Sequence, residues 1–246
     1  MDIGQFSLHA AVEDRHWWFV ARREIIFEIL RRYVPRNHHK LVLEIGCGTG
    51  GNLRYLQGHY RVTGVDISPE AVSFARERLG CPVLEGDFRE IYPETFADVD
   101  VVLLADVLEH IEDDRGFLSD ILSRIRPGGI ILLTVPAHDF LWSKHDVVLG
   151  HVRRYSRKQL MAVCEGLPVE IEYGTFFNSL LFPLIALYRY LPEGKARVSN
   201  LSLPSSLLNR LLLSLFRIEK FLLKIGPLPL GVSFLTVLKK KYDDPP

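Results

Sequence analysis

The chain has 246 residues, which is enough to bury a full hydrophobic core as one large α/β domain. Lysine plus arginine number 30, the same as aspartate plus glutamate, and this zero formal charge disfavours a nucleic-acid partner, because nucleic-acid binders usually carry a basic excess. The three cysteines (Cys47, Cys81 and Cys164) are far apart in sequence, which disfavours a disulfide framework or a CxxC metal site.

The first 36 residues are expected to form a helical lid. Residues 16–19 read H-W-W-F, and apolar residues then recur at helical spacing as far as Tyr33. Two interpretations are compatible with each other. The segment is an amphipathic helix packed on the core, and it is also a lid whose Trp18 and Arg22 cover the carboxylate of a bound cofactor.

Residues 41–53, L-V-L-E-I-G-C-G-T-G-G-N-L, are the most informative stretch of the chain. A short apolar run followed by four glycines predicts a buried parallel strand, a tight loop and the start of a helix. Gly46, Gly48 and Gly50 allow sharp turns and let a ligand approach without meeting a Cβ atom. The loop matches both the dinucleotide fingerprint and the E-x-G-x-G-x-G pattern of another cofactor class, so it does not decide between them.

Strands and helices alternate after this loop. Helices are predicted over 52–57, 69–79 and 113–125, and strands over 61–65, 82–84, 99–104 and 130–135. This alternation predicts a parallel sheet with helices on both faces. Carboxylates stand at or beside the ends of the first four strands: Glu44, Asp66, Asp87 and Asp106. Ligands of open α/β sheets bind beyond this edge, so these four side chains are candidate binding residues.

A family resemblance rests on five segments: E-I-G-C-G-T-G from 44, V-D-I-S from 65, G-D-F from 86, D-V-L-E-H from 106 and L-S-R-I-R-P-G-G from 122. The chain resembles the class I S-adenosylmethionine (SAM)-dependent methyltransferases of the small-molecule type, related to the ubiquinone- and menaquinone-pathway enzymes. The resemblance implies an enzyme that uses SAM and an α/β, Rossmann-like sheet of seven mostly parallel strands.

The resemblance also implies roles for individual residues. Glu44 would orient the glycine loop, which backs onto the amino-acid end of SAM. Asp66 would accept hydrogen bonds from the ribose hydroxyls. The other residues carried over in this way are Gly46, Cys47, Gly48 and Gly50 in the loop, Asp87 at the adenine amino group, Ile67 and Phe88 on the two faces of the adenine ring, and Ala105 and Asp106 at the methionine ammonium.

Two rival functions have to be weighed. An NAD(P)-dependent oxidoreductase would need neither the Gly-Asp-Phe segment nor the D-x-x-E-H segment. A non-catalytic SAM-fold membrane scaffold is expected to have degenerate cofactor residues, and here they are intact. A nucleic-acid methyltransferase is disfavoured by the neutral charge and by Ala105-Asp106-Val107-Leu108, where an Asn/Asp-Pro-Pro-aromatic motif would stand.

Residues 137–155 are predicted to form a polar loop on the acceptor side, where ionisable groups are functional candidates. His110, His145 or His151 could remove a proton from the acceptor, with Asp146 orienting one imidazole. Tyr155 or the neighbouring arginines could hold an anionic acceptor group. Alternatively, these residues form a hydrogen-bond network that braces the loop. The spacing of the histidines and acids in 138–151 matches no known ligand motif, so no metal site is predicted.

A sixth strand is predicted over 169–173, and a seventh, antiparallel strand over 232–238 closes the sheet. The SAM-binding core would then comprise 37–173 with 232–242, and residues 174–231 would be an apolar helical insert. Within it, 207–225 predicts an amphipathic helix with basic residues on its polar side.

The apolar insert has two interpretations. It is a helical cap or dimer interface over the pocket, or it contacts the membrane peripherally. Both favour a hydrophobic or lipid-linked acceptor. Methylation is expected at an oxygen or carbon atom of that acceptor, and the oligomeric state stays open. With no apolar signal segment and no apolar run of about 18 residues, we expect a cytoplasmic protein, at the inner face of the membrane if the insert binds lipid.

Overall fold

One sheet of seven strands organises the fold in the computed structural model, which describes residues 3–92, 96, 98–191 and 203–242. Its strands are β1 (Asn37–Ile45), β2 (Tyr60–Asp66), β3 (Val83–Glu85), β4 (Val99–Ala105), β5 (Ile130–Pro136), β6 (Val169–Phe177) and β7 (Ser233–Lys240). The helices are α1 (Ile3–Val12), α2 (Trp17–Tyr33), α3 (Gly51–Leu56), α4 (Pro69–Arg78), α5 (Phe88–Ile91), α6 (Asp114–Arg124), α7 (Lys144–Leu149), α8 (Arg157–Cys164), α9 (Phe182–Tyr190) and α10 (Ser206–Ile225).

The strand order is β3-β2-β1-β4-β5-β7-β6. Strands β1 to β5 pair in parallel, and β7 pairs antiparallel with both β5 and β6. The predicted Rossmann-like, mostly parallel, seven-stranded sheet is therefore confirmed. One detail differs from the expectation that the seventh strand closes the sheet: β7 lies between β5 and β6, and β6 forms the edge.

The side chains of β4 alternate between the two faces of the sheet, and helices pack on both faces. Because successive side chains of a strand point to opposite faces, Val101 and Leu103 join one core cluster while Val102 and Leu104 join the other. The first cluster contains apolar residues of α2, α4 and α10, and the second contains those of α6 and α8. All seven residues of β4 are buried, as is typical of a central strand with helices on both sides.

Local capping signals explain where several helices begin. The Ser68 side chain accepts a hydrogen bond from the Ala71 backbone N–H, and Pro69 is the first residue of α4. Ser156 and Gln159 form a reciprocal capping box at the start of α8. These residues are local in sequence, and the predicted position of α4, over 69–79, agrees with the structure to within one residue.

The structure also contains elements that were not predicted. Within the predicted loop 137–155 it forms α7, whose first turn is fixed by a capping box between Ser143 and Asp146. Strand β1 begins at Asn37, before the apolar run, and the short helix α5 follows Asp87 directly. Polar sequences of this kind lack the apolar periodicity on which the predictions depended.

Two helices, α9 and α10, lie between β6 and β7 in the sequence. Residues 192–202 of the predicted insert lie outside the described residues. Helix α10 packs along α2, where Arg217 and Lys220 form ion pairs with Glu24. Across the described ranges, no helix is both long enough and apolar enough to cross a bilayer.

Candidate active site

A cavity of about 650 Å³ lies at the carboxyl ends of β1 and β4. Chain connectivity reverses direction between these two neighbouring strands, which is where open α/β sheets bind their ligands. The glycine loop, the end of β4, the loop after β5 and residues of α2, α9 and α10 all contribute to its wall. The volume is that of a site for small molecules.

The glycine loop needs its glycines for two different reasons. Gly46, Gly48 and Gly50 have φ angles of 72°, 53° and 84°, in the left-handed region that other residues rarely adopt. A Cβ atom on Gly46 would come within 2.6 Å of Val107, and one on Gly50 within 2.6 Å of Leu79. At Gly48 no heavy atom lies within 4 Å of where a Cβ atom would be, so the backbone there faces open space. A ligand can therefore approach the backbone of the loop closely at Gly48.

The side chains of Glu44 and Asp66 form hydrogen bonds with the glycine loop and the start of α3. The Asn52 side chain donates to Glu44 Oε1 at 2.7 Å, while Oε2 of this buried carboxyl has no hydrogen-bond partner among the described residues. Asp66 accepts from the Gly48 backbone N–H at 2.7 Å and from the Ser68 N–H at 2.9 Å. Glu44 and Asp66 therefore stabilise the glycine loop and the start of the helix that follows it, and their contacts with the cofactor stay predictions.

Charges of both signs meet at the end of β4. Asp106, with a φ of 59°, accepts from the Thr134 hydroxyl at 2.9 Å and forms an ion pair with Arg22 of α2. Trp18 stacks on Phe177 and Phe216 beside this pair, and Trp18, Arg22 and Asp106 all line the cavity. The predicted contacts with the methionine carboxylate and ammonium need one cation and one anion, and Arg22 and Asp106 provide them side by side.

The three residues predicted to contact adenine differ in how accessible they are to a ligand. Ile67 is 77% exposed just after β2, so it is available to a ligand. Asp87 caps α5 and pairs with Arg89, which lowers the pKa of its carboxyl, so an adenine amino group would share these oxygens. The prediction that Phe88 covers the ring is wrong: its side chain is 2% exposed and packs in the core against Phe96 and Phe117.

The chemistry of these groups fits the amino-acid and ribose parts of SAM. Open backbone at Gly48, the Asp66 carboxylate and the Arg22–Asp106 pair match the polar groups of the cofactor in kind. Cys47 and Ala105 complete this part of the cavity wall, and burial raises the pKa of the Cys47 thiol, so it lines the site as an uncharged group.

On the acceptor side, Asp146 is the centre of a buried network. It is fully buried and accepts from His151 Nδ1 at 3.1 Å, Arg154 Nε at 2.8 Å and Arg189 at 3.2 Å, as well as from Ser143. Burial alone would raise the pKa of Asp146, but the histidine and the two arginines outweigh it and hold the pKa below its usual range. Asp146 orients His151, as expected, and it also braces the loop.

Three predicted histidines line the same cavity: His110, His145 and His151. His110 donates through Nδ1 to the Gly150 carbonyl at 3.2 Å, and its ring lies edge to face against His151 with 4.8 Å between centroids. Burial, followed by the neighbouring His151, lowers the pKa of His110. The structure therefore brings these candidates together although two of them are about 40 residues apart in sequence.

Tyr155 does not belong to this group, so its predicted role at the acceptor is wrong. Its side chain is 1% exposed in the core, and its hydroxyl donates to Asp114 Oδ2 at 2.7 Å. Burial and the Asp114 carboxylate raise the pKa of this phenol. Arg153 likewise pairs with Asp114 outside the main cavity, so neither residue meets a ligand there.

Sequence reasoning missed two groups in the cavity wall. Glu109 is fully buried, and neither carboxylate oxygen has a hydrogen-bond partner within the described part of the chain. The D-V-L-E-H segment was the available signal, but only its aspartate and its histidine were singled out. Arg189 of α9 donates a hydrogen bond to Asp146, which is more than 40 residues away in the sequence, and no local sequence pattern predicts that contact.

Comparisons with known proteins agree with this geometry. Residues 43–133 match a family of methyltransferase domains. A probable S-adenosylmethionine-dependent methyltransferase of Mycolicibacterium smegmatis is 29% identical over 189 residues, which cover 74% of this chain and 71% of that protein. The mitochondrial ubiquinone biosynthesis O-methyltransferase of Schizosaccharomyces pombe is 35% identical over 127 residues, or 47% of this chain and 45% of that protein.

The fold is also similar to that of solved structures. A SAM-dependent methyltransferase from Archaeoglobus fulgidus superposes with a TM-score of 0.54 at 21% identity, over 89% of this chain and 94% of that chain. At this identity the likeness concerns the fold alone. Together with the matched domain and the glycine-loop geometry, it leaves no support for the oxidoreductase alternative. Residues 43–133 are therefore a methyltransferase domain, and the chain is similar in sequence and fold to the class I SAM-dependent methyltransferases.

Proposed function

We propose that this methyltransferase acts on an oxygen or carbon atom of a small acceptor that is apolar or linked to a lipid. When bound, SAM supplies an electrophilic methyl group on a sulfonium. The protein then has to align the acceptor with that methyl group and exclude water. Its own residues define which acceptor fits.

The observation that carries the proposal is the mixed composition of the cavity wall. It includes the glycine loop and the Arg22–Asp106 pair, and it also includes an apolar wall from the segment between β6 and β7. That wall consists of Ile185, Tyr188, Pro204 and Leu208. An apolar acceptor buries its surface there, at roughly 25 cal/mol per Å² removed from water.

The choice of oxygen or carbon is supported by the histidines of the acceptor side. A hydroxyl or an acidic C–H group must lose a proton, whereas the lone pair of a free amine attacks without prior proton loss. His110, His145 and His151 line the cavity, and Asp146 fixes the orientation of His151.

A series of phenols with alkyl chains of increasing length tests the proposal. We expect kcat/KM for methyl transfer from SAM to rise with each added methylene, by up to about fourfold, because a buried CH₂ contributes about 0.8 kcal/mol. The release of S-adenosylhomocysteine measures the rate. A flat profile across the series, or preference for a phenol whose chain ends in a carboxylate, contradicts an apolar acceptor.

A pair of variants links that profile to the cavity wall. Leu208→Asn places an amide in the wall and is expected to weaken the dependence on chain length. Leu203→Asn is the matched control, because Leu203 is also an exposed leucine near the start of α10 but does not line the cavity. Equal profiles in the two variants would show that the acceptor chain lies elsewhere.

A further inference from the structure

Two arginines in the cavity wall share one carboxylate. Arg154 and Arg189 both line the cavity, and they are only 3% and 8% exposed. Among the described residues, Asp146 is the one carboxylate that pairs with either of them, at 2.7 Å and 3.2 Å respectively. Two guanidinium groups and one carboxylate leave an excess of one positive charge in this part of the wall.

Glu109 and Asp106 do not offset that charge. Glu109 also lines the cavity, but burial raises the pKa of its carboxyl well above the usual value, which favours the uncharged form. Asp106 pairs with Arg22, so those two charges cancel. A buried positive charge without its own counter-ion is costly, and a negatively charged ligand would relieve that cost.

The contacts of Arg189 with the segment after β5 leave N–H donors for such a ligand. Its hydrogen bonds to the Leu141 carbonyl, the Ser143 hydroxyl and Asp146 all use Nη1, so none of them uses Nε or Nη2. A guanidinium carries five N–H donors in a planar fork that matches a carboxylate or a phosphate. Burial and the neighbouring Arg154 lower the pKa of Arg189 to about 10, so the side chain stays charged at neutral pH.

From these contacts we propose that Arg154 and Arg189 bind an oxyanion of the acceptor, either a carboxylate or a phosphate. This inference rests on the proposed function and narrows its acceptor class. Ile185 lies one helical turn before Arg189 in α9, and both line the cavity, so apolar surface adjoins the positive charge. The acceptor is therefore an acid with an apolar part.

The oxyanion belongs to the reacting end of the acceptor. Asp146 accepts hydrogen bonds from His151 as well as from Arg154 and Arg189, so one carboxylate joins the candidate base to the two arginines. An acid group beside the methylated atom would contact the arginines while that atom faces His151. The sequence pointed to Tyr155 or its neighbouring arginines for an anionic group, and this inference keeps Arg154 and adds Arg189.

Calorimetric titration of the complex with S-adenosylhomocysteine tests the site. The probes are ortho-hydroxybenzoate, its neutral isostere ortho-hydroxybenzamide, and phenyl phosphate. We expect the wild type to bind an oxyanion at least about tenfold more tightly than the amide, because charge-assisted hydrogen bonds are about twice as strong as neutral ones. The tighter of the two anions identifies the oxyanion. If neither anion binds more tightly than the amide, the proposal is overturned.

Variants assign that preference to the arginines. Arg189→Gln should remove most of it, while Asp146 keeps Arg154 as a partner. Arg153→Gln is the matched control, because Arg153 pairs with Asp114 outside the main cavity, and its preference should equal that of the wild type. If Arg189→Gln does not fold, Arg189→Lys replaces it and should lose part of the preference, since it lacks the planar fork. An undiminished preference in the variant used overturns the proposal.

The phenol series of the proposed function separates the two ideas, because its alkyl phenols carry no acid group. Faster methylation of phenols with longer chains, together with equal binding of the three probes, rejects the oxyanion site alone. A flat profile across the phenols rejects the proposed function, whatever the probes show.

Discussion

At the scale of single residues, Glu44 shows how a site residue can also control stability. It is 1% exposed beneath the glycine loop, and only Asn52 donates to it. Burial raises the pKa of this carboxyl from 4.5 to about 8, so the folded protein keeps its proton at neutral pH while the unfolded chain releases it.

This shift predicts a pH dependence that Glu44→Gln removes. Between about pH 5 and pH 8 the folded state binds more protons than the unfolded state, so the free energy of unfolding of the wild type falls as pH rises. The slope due to one carboxyl is at most about 1.4 kcal/mol per pH unit. Urea unfolding of both proteins across this range measures the difference between their slopes.

Glu85→Gln is the matched control for that comparison. Glu85 is an exposed glutamate at the end of β3, and its substitution should leave the slope of the wild type unchanged. If Glu44→Gln and Glu85→Gln give the same curve, the Glu44 carboxyl is ionised in the folded protein at neutral pH.

At the scale of elements, α10 presents an apolar stripe to solvent. Leu207, Leu211, Ile218, Phe221 and Ile225 follow one another at intervals of four, seven, three and four residues, which keeps them on one side of the helix, and they are 45–87% exposed. The opposite side of the helix packs on the protein through Phe216 and Leu223. Part of the predicted basic side faces the protein as well, because Arg217 and Lys220 pair with Glu24.

We propose that this stripe contacts the surface of an anionic bilayer. Exposed Arg210 and Lys224 flank the stripe, so apolar and basic groups meet the membrane together, as in interfacial helices. Leu208 of the same helix lines the cavity, so a lipid-linked acceptor would have a short path to it.

Flotation with vesicles tests this surface. The wild type should float with vesicles that contain phosphatidylglycerol. Leu211→Glu/Phe221→Glu should lose at least about tenfold in bound fraction, since each apolar side chain contributes about 1.5–3 kcal/mol when fully buried. Ile171→Glu, at an exposed position of edge strand β6, is the matched control. Wild type that stays unbound, or a dimer that buries the stripe in light scattering, contradicts the proposal.

At the scale of the whole molecule, the N-terminal helices fasten the glycine loop to the rest of the fold. The Thr49 hydroxyl donates to Glu13 at 2.8 Å, and Arg78 of α4 pairs with both Glu13 and Asp14. Farther along, Arg22 of α2 pairs with Asp106 at the end of β4. Residues 1–36 are expected to form a lid. We propose that α1 and α2 close over the site through these contacts when the cofactor binds.

Hydrogen exchange with and without S-adenosylhomocysteine tests this coupling. We expect slower exchange over 6–34 and over 46–53 in the complex, because the lid and the loop open together. Helix α6, on the opposite face of the sheet, is the internal control and should not change. Protection confined to 46–53 would show that the N-terminal helices are a static part of the core.

The sequence by itself determined the alternation of strands and helices, the glycine loop and the acidic residues at the strand ends. Those features depend on neighbours in the chain: apolar periodicity, caps and positive φ angles are local properties. For the same reason the sequence could not distinguish a core aromatic from a site aromatic, and Phe88 and Tyr155 were assigned to the site when they pack in the core.

Only the tertiary structure decided the acceptor side. Arg189 reaches Asp146 from α9, and Glu109 meets His151 across about 40 residues of chain. The tertiary structure also decided which side of α10 is exposed, because Arg217 and Lys220 of this helix form ion pairs with Glu24 of α2 and so face the protein. Contacts between distant segments depend on how whole elements pack, and no local pattern encodes that packing.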